Sequence, residues 1–283
     1  MQTHHQFQVL FLTTIAISLL INTSDYAQTD YSDGGTYNIN ATMPDGAVSL
    51  SNGTTLNMLS GSNVTGYYVS GNHWQGFRVF DTSTLNLHPG SSVTGGNAYM
   101  AGGAASVEGI NVWGNGIVNF LGGYITGGIS ECAGARADSR GICAWENSTV
   151  NIYGGNITGG EADSAGYPAY SIGINSMGNS KVNIYGGYIS AGVASSTPEQ
   201  AHSIGIVAVD SSIVTIYGKD FNFDYGSINN YSGSLTGTLS DGTYLNIRFQ
   251  RQSVGQIILS PIPEPTTLLL FGLGAAVIRK FRA

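Results

Sequence analysis

The sequence predicts an all-β chain folded as a right-handed parallel β-helix, a solenoid of about six coils of roughly 32 residues with capping ends and a short apolar C-terminal helix. Three observations predict it: a long internal repeat, a two-residue alternation inside each repeat, and 41 Gly in a chain only 10% charged. Ordinary globular chains are about a quarter charged, so a regular, Gly-punctuated architecture is needed to fold this composition. The 16 Tyr and 10 Phe argue against simple disorder, which is poor in aromatics.

The repeat is plain in GICAWENSTVNIYGGNITGG, Gly141 to Gly160, against GINSMGNSKVNIYGGYISAG, Gly173 to Gly192, which align without a gap. GINVWGNGIVNFLGGYITGG, Gly109 to Gly128, precedes them, and GIVAVDSSIVTIYG follows from Gly205. A more divergent unit starts at Gly76. The central Asn recurs as Asn57, Asn86, Asn119, Asn151 and Asn183 at spacings of 29, 33, 32 and 32, with Thr215 in its place in the last unit. Units of this kind bury their apolar face only by stacking on their neighbours.

Within one unit, Val150 and Ile152 alternate with Asn151 and Tyr153, which places the aliphatic pair on the interior face of a strand. Asn147-Ser148 before that strand and Gly154-Gly155 after it are corner residues, because Asn and Gly tolerate positive φ. A strand around Ile142 and another around Ile157 complete a coil of three short strands. The dozen residues EADSAGYPAYSI, Glu161 to Ile172, read as a variable connection. Right-handedness follows from the strong bias of parallel crossover connections.

The two ends differ from the body. Phe7 to Ile21 is almost entirely apolar and turns polar at Asn22, with small residues at Ser24 and Ala27, the pattern of a secretory signal peptide. The expected organisation is a signal peptide at 1–27, an N-terminal cap at 28–50, solenoid repeats at 51–223, a closing region at 224–260 and a tail at 261–283. The tail carries Pro263-Glu264-Pro265, an apolar run from Leu268 to Ile278, then Arg279, Lys280 and Arg282. That run is short for a bilayer, which takes about 20 helical residues, and its basic end would lie on the cytoplasmic side.

These residues closely resemble the PEP-CTERM sorting signal of Gram-negative bacteria: Pro-Glu-Pro, apolar helix and basic end, in that order. The resemblance implies processing by an integral-membrane exosortase, transient anchoring in the inner membrane, and an association with exopolysaccharide or biofilm. It gives an address and no activity. GSLTGTLSDGTYLNIRF, Gly233 to Phe249, resembles the closing hairpin near the end of many surface solenoids with this tail.

Candidate chemistry in the body is sparse. Cys132 and Cys143 are the only cysteines, and an exported chain favours their oxidation; free thiols are the alternative. Such a bridge would contribute about 3 kcal/mol through loop closure. Tyr153, Tyr185 and Tyr217 fall at equivalent positions and would form an aromatic ladder, either as cover for the strands or as a platform for sugar rings. The Asn column would bond amide to amide up the stack. Asp81 and Asp210 read as corner residues, at the position of Asn115, Asn147 and Asn179.

Charge concentrates at Glu131, Arg136, Asp138 and Arg140, with Glu161 and Asp163 one coil later. Glycoside hydrolysis needs two carboxylates at fixed separation, and this group is where the rival reading, a polysaccharide-degrading β-helix enzyme, would place them, with Asp138 and Asp163 the residues to substitute. From Gln28 to Ile262 the body carries 15 acidic and 7 basic residues, which disfavours a nucleic-acid partner. No cofactor and no required metal are expected, since GGxITGG lacks a P-loop Lys and no paired ligands stand at zinc spacing. The expectation is a non-enzymatic surface or extracellular-matrix protein.

Overall fold

The computed structural model describes residues 29–43, 46–70 and 73–262. The expected signal peptide and apolar C-terminal helix, and the sorting residues Pro263, Glu264, Pro265, Arg279, Lys280 and Arg282, lie outside the described residues. Those described form an all-β solenoid of about five turns and contain no helix.

One turn shows how the sequence builds the coil. Ala137–Ala144, Thr149–Ile152, Asn156–Thr158 and Glu161–Ala165 follow each other around the axis, and each pairs in parallel with its equivalent one turn later. Val150 and Ile152 point inward and are fully buried, as are Val118 and Phe120 before them and Val182 and Ile184 after them. Burying each such side chain is worth about 1.5–3 kcal/mol, and only the stack supplies the burial.

The expected three-strand coil is therefore corrected to four strands. Glu161–Ala165 lies inside the segment read as a connection, and it belongs to a four-stranded parallel sheet. Its inward residues are small: Ala98, Cys132 and Ala162 pack against Trp74, Ala105, Val107, Ala137 and Ala169 of the long strands in a thin second core. Small side chains suffice where two sheets run close together, and such residues carry little strand signal.

Gly141 separates this second core from the main one. A Cβ there would stand 2.7 Å from the Gly173 carbonyl oxygen and 2.8 Å from both Ile157 Cγ2 and the Thr158 carbonyl oxygen. The long strand thus lies directly against the neighbouring corner. Ile142 and Ala144 enter the main core on one side of the glycine, and Ala137 enters the second core on the other. Gly76, Gly109 and Gly173 make the same contact in other coils.

The expected six coils become about five turns because the last unit does not close. It supplies Ala201–Ala208 and Ile213–Lys219, then leaves the helical path. Ser232–Leu239 and Tyr244–Arg251 form an antiparallel hairpin that pairs back on the preceding strands, and Gln256–Pro261 adds a final parallel rung. At the other end, Thr29–Tyr31 and Thr36–Ile39 already stack in parallel register on the strands that follow.

Corners use the left-handed backbone region at one repeated position: Asn52, Asp81, Gly114, Glu146, Gly178 and Asp210 all have φ between 55° and 66°. Asp81 and Asp210 are corner residues, one position earlier than Asn115, Asn147 and Asn179. The carboxylates of Asp81, Glu146 and Asp210 accept hydrogen bonds from the corner N–H of Asn52, Gly114 and Gly178, one coil back. That bond offsets part of the strain of a non-glycine residue at positive φ.

Candidate functional site

The long strands Ala105–Val112, Ala137–Ala144, Ala169–Ser176 and Ala201–Ala208 stack in register, so their outward residues form columns. One column reads Gln75, Glu108, Arg140, Ile172, Ile204; the next reads Arg78, Asn111, Cys143, Asn175, Val207 and Gln250. The first changes from polar to apolar as the solenoid is climbed, and the second becomes apolar at Val207 before ending on Gln250.

The polar end is a closed charge network. Arg140 Nη1 lies 3.0 Å from Glu108 Oε1 and Arg140 Nη2 lies 2.9 Å from Asp138 Oδ2. Arg136 Nε holds the other Asp138 oxygen at 2.8 Å, and Gln75 Nε2 donates to Glu108 Oε2 at 3.0 Å. Ser106 Oγ also donates to Glu108, and Arg140 Nη1 donates to Ser106. Asp138 and Arg140 share a face because they stand two apart on one strand. Burial alone would lower the Arg140 guanidinium, but Asp138 leads a set of anionic neighbours that raise it further above its ordinary value. Two arginines thus balance two carboxylates, and both carboxylates are held by cations.

Above this network the outer face forms a groove of about 460 Å³. Its floor is Ile172, Ile204 and Val207, a cluster separate from both cores. Tyr170 stands on one side, sandwiched between the Arg136 guanidinium at 4.2 Å and the His202 ring at 4.7 Å. Trp145, Met177, Val209 and Gln252 form the other side, and Gln250 closes the upper end. Sequence reasoning missed this groove. Its signal was available: Ile172 and Ile204 occupy the register at which earlier coils place Glu108 and Arg140.

The tyrosine column forms as expected. Tyr153 and Tyr185 stack at 5.1 Å and 5°, Tyr185 and Tyr217 at 4.4 Å and 7°. Both faces of Tyr185 are therefore covered by its neighbours, and the column turns edges and hydroxyls outward. Burial, followed by the hydrogen bond with Tyr217, raises the Tyr185 phenol. The Asn column also forms, each side-chain amide donating to the oxygen of the one before at 2.8–2.9 Å, from Asn183 down to Asn38.

The cysteines are not bridged: both are buried free thiols. Cys132 points into the small second core, whereas Cys143 lies in the outward column between Asn111 and Asn175, on the far side of its sheet. Burial pushes the Cys143 thiol up to about 12, against the pull of Arg140, and burial also raises Cys132.

Asp138 and Asp163 are not brought together. Asp138 is in the network, whereas Asp163 pairs in register with Glu131 on the four-stranded sheet. Glu131 and Asp163 line a separate depression of about 480 Å³ with Tyr99 and Met100. Among the described residues no group of three or more His, Cys, Asp or Glu is placed to hold a metal.

Comparison with curated proteins and with solved structures finds no match. Residues 261–282 do match a family model, the PEP-CTERM protein-sorting motif. The chain thus carries a PEP-CTERM sorting motif behind a β-solenoid body, which implies an exported protein with a membrane-anchoring C-terminal tail processed by exosortase-type machinery.

Proposed function

We propose that the chain is a non-enzymatic protein of the cell surface or extracellular matrix, associated with exopolysaccharide and delivered through its tail after transient anchoring in the inner membrane. The observation that carries this reading is the sorting motif at 261–282 attached to a stacked β-solenoid body. The body supports it in two ways. Its densest charge cluster is internally neutralised, so Glu108 and Asp138 are engaged by arginines rather than poised for proton transfer. Its five-stranded face presents Thr94, Tyr124, Thr126, Asn156 and Tyr188, side chains suited to polar contact with other matrix components.

A second reading, a polysaccharide-degrading enzyme, draws on Glu131 and Asp163. They occupy adjacent rungs, on strands about 4.8 Å apart, at the edge of a depression. Incubating the full-length protein with polysaccharides separates the readings when retention and released reducing or unsaturated ends are measured together. Retention without products is the expected result. Product release that disappears in Glu131→Gln or Asp163→Asn would replace the first reading with the second.

A further inference from the structure

We propose that the groove over Ile172, Ile204 and Val207 is a binding site for a neutral polysaccharide chain lying along the solenoid axis. This inference rests on the exopolysaccharide reading above and gives it a place and a ligand class.

The shape comes first. The lining residues belong to four successive rungs, from Asp138 on Ala137–Ala144 to Gln250 on Tyr244–Arg251. At ordinary strand spacing that run is about 14 Å long and crosses the strands at right angles. A linear polymer of several sugar units fits such a trough. An extended peptide fits it poorly, because a peptide gains affinity by adding to an open strand edge. Under this groove Ala137–Ala144 and Ala169–Ser176 are paired on both sides, and Ala201–Ala208 is paired on its upper side at Ile206–Ala208.

The chemistry of the lining agrees. Pyranose rings offer apolar C–H faces and hydroxyl-bearing edges. The apolar floor is 4–5% exposed at Ile172 and Ile204, with no role in either solenoid core. Earlier coils fill the same register with polar groups, so the fold does not require aliphatic residues there. Amides border the floor at both ends, Asn175 below and Gln250 with Gln252 above, and amides both donate and accept. Arg140 reaches the lower end, and its Nε–H has no hydrogen-bond partner among the described residues.

Charge selects the class. Arg136 and Arg140 are matched by Asp138 and Glu108, so the groove carries no surplus cation for a uronate or sulfate. The body around it holds 15 acidic against 7 basic residues, and that field repels polyanions. A neutral glycan meets neither penalty.

Affinity electrophoresis of the full chain through gels containing a neutral β-glucan, mannan or dextran tests this, with alginate as the anionic comparison. The native protein should be retarded by a neutral polymer and not by alginate. Val209→Asp, which places a charge on the half-buried rim, and the double variant Gln250→Ala/Gln252→Ala should each weaken retention about ten-fold or more. Tyr244→Ala, at the exposed start of the hairpin's second strand and outside the groove lining, should leave it unchanged. Circular dichroism identifies any variant that fails to fold, and the glutamine pair stands if Val209→Asp does. Retention that survives both groove variants, or is lost in Tyr244→Ala, overturns the groove while leaving the exopolysaccharide reading intact. Preferential retention by alginate overturns the ligand class. Retention by no polymer overturns the site and the exopolysaccharide association together, but not export through the tail.

Discussion

Arg140 and Glu108 are 32 residues apart in sequence and 3.0 Å apart in space, one rung above the other on the outer face of the long strands. Both are almost fully buried, at 8% and 1% exposure. Breaking such a pair by removing one partner leaves an uncompensated buried charge, which costs about 3–5 kcal/mol. Arg140→Met should therefore lower the denaturation midpoint steeply. Replacing both, as Arg140→Met with Glu108→Gln, should recover a large part of the loss. Urea unfolding followed by circular dichroism measures both, and a double variant no better than the worse single would contradict the pairing.

The asparagine ladder predicts a graded response. Asn119→Ala removes two amide bonds, one donated to Asn86 and one accepted from Asn151. At about 0.5–1.5 kcal/mol for each bond, the loss should be about 1–3 kcal/mol. Asn38→Ala removes a single bond at the exposed first rung and should cost less. Equal effects at the two positions in thermal melts would argue against a continuous ladder.

Glycine at the pinch is set by contact rather than by φ. Gly141→Ala drives a methyl against two carbonyl oxygens and Ile157, and overpacking of this kind costs about 1–3 kcal/mol. Gly134→Ala meets nothing nearer than 3.5 Å and should be tolerated. Comparison of the two melting temperatures checks the packing of the long strands against the adjoining corner.

The thiols predict both reactivity and pH dependence. Neither Cys132 nor Cys143 should alkylate in the folded protein near neutral pH, because the thiolate is the nucleophile and burial disfavours it in both. Both should label after denaturation without a reductant. Cys143 stays protonated in the folded chain up to about 12, whereas the unfolded thiol ionises near 9. Its contribution to stability is full below pH 9 and is lost as pH rises towards 12. Melting temperature should fall less steeply across that window in Cys143→Ala than in the native protein.

How much of this was legible in the sequence depends on whether a residue repeats. Asn119, Asn151 and Asn183 recur at nearly constant spacing, and the columns they announce are present. Asn38 extends the same ladder but stands only 19 residues before Asn57, because the first coil is short, and so it falls outside the period. The strand Glu161–Ala165 was hidden by its small residues, since Ala162 and Ser164 pack inward without the β-branched signature of the other faces. The groove was hidden for the opposite reason. Ile172 and Ile204 break the repeat's outward pattern, and comparison between coils emphasises what they share. An exported chain favoured a Cys132–Cys143 bridge, but the strand face on which each thiol sits decides the matter: Cys132 lies in the second core and Cys143 in the outward column.

Export through the tail is the claim on which the functional account stands. It is tested most directly by the mass of the protein recovered from an exosortase-bearing Gram-negative host and from the same host lacking the exosortase. The account predicts that protein from the first host lies outside the cytoplasm and lacks the apolar run Leu268 to Ile278. The run should be retained in the second host, and in the first when Pro263, Glu264 and Pro265 are all replaced by Ala. A chain of identical mass in both hosts, recovered from the cytoplasm with its tail intact, would contradict it.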